Sequence, residues 1–301
     1  MSVALKKPAD LPFVCNPLSD VLGAEVVDFD VKTLQDPAEV NAVMAYLRDC
    51  QVLVFRNQEL TPVEMTRFLR LFGDPIYHVL KQFLMSETPE IHILSNVKKE
   101  DNEPLGNAYE GLTWHTDLNG QAKPVAYTVL YGKEVPDVGG DTAFASMYKA
   151  YEALPAERQR SLEGLKFIYS YEKQHLTRLR VLAERGITDH VYDRPMTEEQ
   201  LQYAKRRHVL PIVQANPYNG RLWMNLASTG CAGVEGMTDE DGISLVEGLV
   251  RHSTSAPFRY DHKWAENDLV IWDNRGLFHH AGEYDRATER RLMWRGSIAG
   301  E

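Results

Sequence analysis

Cysteine is scarce in this sequence of 301 residues, which contains three: Cys15, Cys50 and Cys231. An odd number of widely spaced cysteines argues against a disulfide framework and against a cysteine-based zinc site. Long apolar runs are absent as well, and no stretch approaches the ~18 residues that identify a membrane-spanning helix. We therefore expect a protein of the reducing cytoplasm that does not span a membrane.

Basic residues are also fewer than acidic ones. The sequence has 33 lysines and arginines and 43 aspartates and glutamates, which gives a formal net charge of −10. No basic stripe is present, so nucleic acid is not an expected partner. An acidic surface does not draw anions from a distance, and an anionic substrate would therefore depend on local arginines. Residues 1–14 carry two lysines but no long apolar segment, which argues against a secretory signal.

Internal repeats and flexible linkers are missing too, and large β-sandwiches often reach this size as one unit, so we expect a single domain over residues 1–301. Candidate strands, separated by glycine, asparagine and proline, are residues 91–95, 113–117, 125–133, 141–145, 165–171, 209–215, 221–226, 268–273 and 290–299. Helical spacing of apolar residues appears at 37–50, 62–72, 147–163, 197–206 and 238–252. Many strands interrupted by a few helices predict a mainly β fold with flanking helices, a jelly roll, rather than a parallel α/β sheet.

Two separated segments carry side chains that together can bind a metal ion. If residues 113–117 form a strand, His115 and Asp117 project from the same face, since alternate residues of a strand point the same way. Residues 267–281 read as a strand, a turn and a return strand that carries His279. Two imidazoles and one carboxylate on one face form the facial triad of ferrous oxygenases, which leaves coordination positions open. A lone His-x-Asp is common by chance, and its ordinary interpretation is a histidine beside a carboxylate.

The arginines near the C-terminus make the metal interpretation stronger. Alternation along the candidate strand 290–299 places Arg291, Met293 and Arg295 on one face. Two arginines on an inward face are costly without anionic partners, and arginine is the best bidentate partner for a carboxylate. We expect Arg291 and Arg295 to bind anions, whereas Arg290 is expected to be a solvated charge at the sheet edge.

Segments along most of the chain resemble the taurine dioxygenase and aryloxyalkanoate dioxygenase family, TauD/TfdA. In chain order, they are residues 22–26, 51–62, 72–74, 114–117, 134–136, 139–144, 148, 151–155, 272–275, 279 and 290–295. The resemblance implies a double-stranded β-helix that binds Fe(II) and 2-oxoglutarate. It also implies an oxidoreductase that uses O2 to hydroxylate a small anionic organic substrate, a carboxylate or a sulfonate, with release of succinate and CO2.

Carried over by position, the resemblance makes His115, Asp117 and His279 the catalytic ligands of the iron. His280 is the alternative candidate for the third iron ligand. The family has its histidine four residues after the arginine of a Trp-Asp-Asn-Arg segment, and this spacing selects His279.

The resemblance also assigns residues that bind 2-oxoglutarate and residues that bind the substrate. Arg291 would bind the distal carboxylate of 2-oxoglutarate, and Thr142 would add a hydroxyl donor, although a threonine beside glycines is also ordinary turn chemistry. Arg295 matches the position that binds the acidic group of the substrate, and His78 falls where the taurine enzymes use a histidine for the same group. Tyr109 precedes the first ligand in a loop rich in glycine and asparagine, and we expect it to reach the substrate.

Other positions depart from the taurine enzymes. Lys81 stands where they have a tyrosine, Gly111 replaces a polar residue that contacts substrate, and residues 224–229 differ from the usual run. Taurine itself is therefore not the expected substrate, although the chemistry is unaffected. The family alone suggests a homo-oligomer.

Two alternatives stay open at this point. A zinc-type hydrolase or lyase on the same scaffold would use the triad but would not require Arg291 or Thr142, and a non-catalytic binding jelly roll would not need an intact triad. Several aromatic side chains line an apolar pocket or pack in the core: Tyr109, Trp114, Phe144, Trp223 and Phe278.

Overall fold

The computed structural model describes residues 11–117, 125–188, 190–193 and 198–300. Residues 1–14 were predicted not to be a secretory signal, and most of that segment lies outside the described residues. Within them, no helix combines the length and the apolar character needed to cross a membrane.

The described residues form α-helices and β-strands, many of the strands following one another without a helix between them. The helices are α1 (Pro37–Cys50), α2 (Pro62–Leu71), α3 (Met147–Glu152), α4 (Ala156–Leu162), α5 (Tyr171–Glu184), α6 (Glu198–Ala204) and α7 (Asp239–Ser253). The strands are β1 (Val14–Pro17), β2 (Ala24–Val27), β3 (Val52–Phe55), β4 (Pro75–Ile76), β5 (His92–Ser95), β6 (Val125–Glu134), β7 (Thr142–Ser146), β8 (Lys166–Ser170), β9 (Arg207–Pro211), β10 (Val213–Ala215), β11 (Leu222–Met224), β12 (Cys231–Val234), β13 (Arg259–His262), β14 (Leu269–Asp273), β15 (Leu277–Ala281) and β16 (Leu292–Ala299).

The largest sheet has the strand order β1-β2-β3-β14-β6-β16-β4, with β5 paired to β16. Its two faces are covered differently because successive side chains alternate. On β14, Leu269 and Ile271 pack in a core with residues of α1 and α2. Val270 and Trp272 point the other way, into an apolar layer shared with the smaller sheet β13-β7-β15. Two sheets that face each other across such a layer form the jelly roll that the strand pattern predicts.

The same alternation on β16 places the side chain of Arg295 between the two sheets. Trp294 and Ile298 belong to the helix-covered core, whereas Met293 belongs to the layer between the sheets. Arg295, two residues after Met293, therefore points between the sheets and is only 6% exposed. The predicted inward face of β16 is confirmed.

Local signals located the first two helices well. The bounds of α1 match the predicted helix, and Thr61 caps α2 through the reciprocal bonds of a capping box with Glu64. The predicted helix 147–163 is divided in two, because Pro155 precedes α4 and the residue before a proline is kept out of the helical conformation. The predicted strand 209–215 is divided into β9 and β10.

Two predictions about secondary structure fail near the site. The predicted strand 113–117 is wrong, because His115 alone forms an isolated bridge there. Helix α5 was not predicted from the sequence at all. Its one fully buried residue is Leu182, so it lacks the wide apolar stripe by which an amphipathic helix is recognised.

Candidate active site

His279 lies on β15, which returns from β14 through a tight turn. Gly276 makes this turn with φ +66°, a conformation that glycine adopts at little cost, and a Cβ at this position would collide with the ring of Tyr148. Strand β15 pairs with β7 so that His279 lies opposite Phe144. The His279 ring packs against Trp272, with 4.9 Å between ring centroids. The hairpin therefore holds this imidazole at the edge of the layer between the sheets.

His115 is joined to His279 by backbone hydrogen bonds instead of by a strand of its own. The His115 amide donates to the His279 carbonyl at 2.9 Å, and the His279 amide donates to the His115 carbonyl at 2.8 Å. The two imidazole centroids are 4.1 Å apart. Gly111 has φ +74°, and a Cβ there would lie 3.3 Å from Cε1 of His115. Gly111 thus leaves room for the His115 ring.

The ligand atoms of the predicted triad converge. Oδ1 of Asp117 lies 3.8 Å from Nε2 of His115 and 3.7 Å from Nε2 of His279, and one ligand atom from each of the three residues lies within 4.8 Å of the others. Nδ1 of His115 is 2.7 Å from the carbonyl of Thr113. Because a carbonyl only accepts, Nδ1 carries the proton and the Nε2 lone pair is free for a metal.

Asp117 is oriented through both of its carboxylate oxygens. Thr128 donates its hydroxyl to Oδ2 at 2.5 Å, and Arg295 donates to Oδ1 at 2.5 Å. Burial raises the pKa of Asp117, but Arg295 and then the two histidines outweigh burial and hold the pKa well below its usual range. Burial, followed by His115, lowers the pKa of His279. At neutral pH the site therefore offers an ionised carboxylate and an uncharged His279 imidazole.

These donors fit a ferrous ion. Two imidazole nitrogens and one carboxylate oxygen are the donor set of the facial triad, which suits Fe(II) and leaves coordination positions free for other ligands. His280 is not part of the cluster, because its Nε2 faces the carbonyl of Leu112 at 3.1 Å and its ring packs against Trp114.

Arg291 is a buried cation without an anionic partner in the described residues. Its side chain is 8% exposed, and burial lowers its pKa to about 10. Its backbone is clamped, since Ser95 donates its hydroxyl to the Arg291 carbonyl and Asn96 accepts from the Arg291 amide, both at 2.8 Å. A Cβ on Gly140 would come within 3.6 Å of Nε of Arg291. A fixed, desolvated guanidinium of this kind calls for a ligand with an anionic group.

Thr142 begins β7 and is also buried. Nε1 of Trp264 donates to Oγ1 of Thr142 at 3.0 Å. Because the indole N–H only donates, the threonine oxygen acts as the acceptor, and its own hydrogen stays available for a ligand oxygen. Sequence reasoning missed Trp264, since no local pattern links it to Thr142.

The predicted substrate-binding residue His78 is connected to Arg295 through His92. His78 stacks on His92, with 3.9 Å between ring centroids, and His92 lies opposite Arg295 in the pairing of β5 with β16. Burial lowers the pKa of His78 to about 4, so its ring is neutral at pH 7. His92 is 3% exposed, and neither of its ring nitrogens has a hydrogen-bond partner among the described residues. Sequence reasoning missed His92, because a histidine in an apolar strand gives no sign of the face it occupies.

The aromatic residues divide between cleft and core. Tyr109 lines a cleft beside His115. Phe144, Trp223 and Phe278 are core residues, and Trp114 packs against that core.

Comparison with known proteins places the chain among dioxygenases. A family model described as "Taurine catabolism dioxygenase TauD, TfdA family" matches residues 15–297. The alpha-ketoglutarate-dependent 2,4-dichlorophenoxyacetate dioxygenase of Cupriavidus pinatubonensis is 30% identical over 289 residues, which cover 93% of this chain and 95% of that protein. An alkylsulfatase of Acinetobacter baylyi is 27% identical, with 94% and 84% covered. The crystal structure of AAD-2 in complex with Mn(II) and N-oxalylglycine superimposes with a TM-score of 0.76 at 25% identity, covering 97% of this chain and 98% of AAD-2.

Proposed function

The chain belongs to the TauD/TfdA family of dioxygenases, and from this premise we propose that it hydroxylates a small organic substrate carrying one carboxylate, sulfonate or sulfate group. The protein is an Fe(II)- and 2-oxoglutarate-dependent dioxygenase that uses O2. Neither a zinc hydrolase nor a non-catalytic jelly roll agrees with this membership. The observation that carries the proposal is the buried guanidinium of Arg291, which has no anionic partner in the described residues, together with the His-Asp-His cluster.

In this proposal, His115, Asp117 and His279 hold the iron, which together with 2-oxoglutarate and O2 supplies the oxidant for a substrate C–H bond. Thr128 and Arg295 keep the Asp117 carboxylate in place through its two oxygens. Because both imidazole rings and the carboxylate are already oriented, little rearrangement accompanies metal binding.

Arg291 and Thr142 are proposed to bind the distal carboxylate of 2-oxoglutarate. The Arg291 guanidinium would form a bidentate pair with it, and the Thr142 hydroxyl, which already accepts from Trp264, would donate to one of its oxygens. Such anchoring keeps the cosubstrate in one orientation while the rest of the molecule reacts.

Thr142→Val should raise the KM for 2-oxoglutarate by roughly 10- to 150-fold, the effect of losing a hydrogen bond to a charged group of about 1.5–3 kcal/mol. Thr142→Ser keeps the hydroxyl and is the matched control, with a KM near that of the wild type. Succinate release at varied 2-oxoglutarate measures both. Equal KM values for the valine and serine variants would refute the role of Thr142.

Arg295 is proposed to bind the substrate anion with His78, while Tyr109 contacts the rest of the substrate in the cleft. Arg295 is buried and its guanidinium touches Asp117, so the substrate would lie next to the metal. The relatives support an anionic group, since one acts on 2,4-dichlorophenoxyacetate and another is an alkylsulfatase.

The test is a screen for succinate release with aryloxyacids, sulfonates, sulfate esters and aliphatic or amino-acid carboxylates. We expect stimulation by anions such as phenoxyacetate and none by the neutral phenoxyacetamide, and Arg295→Met should weaken the stimulation while leaving slow substrate-free decay of 2-oxoglutarate. Stimulation by neutral compounds alone, or unchanged substrate affinity in Arg295→Met, would contradict the anionic substrate.

We also propose a cytoplasmic location and a homo-oligomer. The three cysteines are free, which agrees with a reducing compartment. Size-exclusion chromatography with light scattering tests the assembly, and a monomer at micromolar concentration would contradict it.

A further inference from the structure

Helix α5 covers the cleft beside His115. The helix residues that line the cleft are Gln174, Arg178, Val181 and Leu182. Their spacing of three, four, seven and eight places them on one face of the helix. Besides Tyr109 and His115, the cleft is thus lined by a helix that presents one cation, one amide and two apolar side chains.

Arg178 has no anionic partner in the part of the chain that the structure describes. Its guanidinium makes no hydrogen bond or ion pair there, and lies 4.4 Å from the centroid of the Tyr192 ring. Burial disfavours its charged form, but Tyr192 and Glu110 outweigh burial and raise its pKa further. Arg178 is therefore a charged group held in position by an aromatic ring, with its donors available to a ligand.

Glu110, the nearest acidic candidate to neutralise Arg178, is engaged elsewhere. Its Oε2 accepts from Asn107 at 2.6 Å and from the Tyr192 hydroxyl at 2.8 Å. Burial would raise the pKa of Glu110, but Arg178, followed by His78, lowers it to about 2. Glu110 is thus ionised and helps to hold Tyr192 under Arg178, but it is not hydrogen-bonded to Arg178.

Gln174 adds a second donor on the same face of α5, one turn before Arg178. Its carbonyl oxygen accepts from the Tyr169 hydroxyl at 2.8 Å, and this fixes the side-chain amide so that the NH2 group is the one left for a ligand.

The arginines of the site differ in how far their donors are already used. Arg291 is assigned to 2-oxoglutarate, and Arg295 is already paired with Asp117. Glu110 is ionised near Arg178 but is hydrogen-bonded to Asn107 and Tyr192 instead. Arg178 is therefore the arginine whose donors remain open to a substrate anion.

We propose that Arg178, assisted by Gln174, is a specificity-determining anchor that binds the carboxylate, sulfonate or sulfate of the substrate from the α5 side of the cleft. This inference rests on the proposed function, because it specifies how the same anionic substrate is recognised. Arg178 adds to Arg295, and its position on the covering helix means that anion binding also fastens α5 over the cleft.

The test is calorimetric binding of phenoxyacetate, hexanesulfonate and hexyl sulfate to protein loaded with Mn(II) and N-oxalylglycine, which avoids turnover. Arg178→Met should weaken binding of the best of these anions by roughly 10- to 150-fold, as expected for lost bonds to a charged group. The matched control is Arg180→Met, on the same helix, where the side chain is 70% exposed and pairs with Glu184; its affinity should equal that of the wild type. Affinity for N-oxalylglycine should be unchanged in both variants.

The outcomes separate the two proposals. If the wild type binds an anion and Arg295→Met weakens it while Arg178→Met does not, the anchor on α5 is refuted and the proposed function stands. If none of the three anions binds the wild type, the proposed substrate class fails and the anchor fails with it. Gln174→Ala, which keeps the charge of Arg178, serves as a second variant and should weaken binding by less than Arg178→Met. Should Arg178→Met unfold the protein, no measurable loss of anion affinity in Gln174→Ala would refute the anchor.

Discussion

Replacing His279 with alanine is expected to abolish turnover and metal binding, while replacing the adjacent His280 leaves both nearly intact. Nε2 of His279 faces Oδ1 of Asp117 at 3.7 Å, whereas His280 faces the carbonyl of Leu112 and the ring of Trp114. Losing a group behind a metal ligand typically costs roughly 10- to 100-fold in affinity or activity, and losing the ligand itself should cost more than this.

Equilibrium dialysis against Fe(II) under anaerobic conditions and succinate release measure the two effects. The pair His279→Ala and His280→Ala is well matched, because the residues are neighbours on β15 and both changes remove an imidazole. Melting curves without metal verify that both variants fold. Normal iron binding in His279→Ala, or an equal loss in both variants, would contradict the assignment of the third ligand.

Arg291→Met is expected to raise the KM for 2-oxoglutarate strongly without destabilising the ligand-free protein. Truncating one member of a buried, hydrogen-bonded charge pair costs about 2–5 kcal/mol, which corresponds to roughly 30-fold to several thousand-fold in affinity. The ligand-free protein, however, keeps this guanidinium buried without an anionic partner in the described residues. Removing such a charge relieves a desolvation cost, so the melting temperature of the ligand-free variant should equal or exceed that of the wild type.

The neighbouring Arg290 provides the control for Arg291. Its side chain is 64% exposed and pairs with Glu134 at the sheet edge, so Arg290→Met should leave the KM for 2-oxoglutarate unchanged. Thermal melts with and without 2-oxoglutarate, together with KM values from succinate release, distinguish the two variants. An Arg291→Met protein that retains its KM would refute the binding of 2-oxoglutarate by Arg291. One that melts well below the wild type without ligand would show that the guanidinium has a structural role.

Removing Arg295 is expected to have different effects from removing Arg291. Arg295 already contacts Asp117 at 2.5 Å, so its removal leaves a buried carboxylate without this partner and should lower the stability of the protein as well as weaken substrate binding. Arg291 does not contact Asp117, so its loss should weaken only the binding of 2-oxoglutarate.

Local sequence patterns determined several features of this protein. Alternation along β16 was sufficient to place Met293 and Arg295 on the inner face, since the period of a strand is two wherever it lies. The capping box at Thr61 located α2, because a cap is made from residues three apart. The residue types of the triad, and their order in family-like segments, indicated the metal and the class of reaction before any fold was known.

Tertiary structure decided how these parts meet. His115 and Asp117 lie on a loop, and His115 joins His279 through two backbone hydrogen bonds between segments far apart in the chain, which no local period encodes. Arg291 has no anionic partner in the described residues, whereas Arg295 is hydrogen-bonded to Asp117. Both facts depend on which groups the packed sheets bring close together. Arg178 reaches the cleft on a helix that is polar on most faces, so its role follows only from where α5 packs. A local pattern specifies the face on which a side chain lies, but its partner is set by long-range pairing and packing.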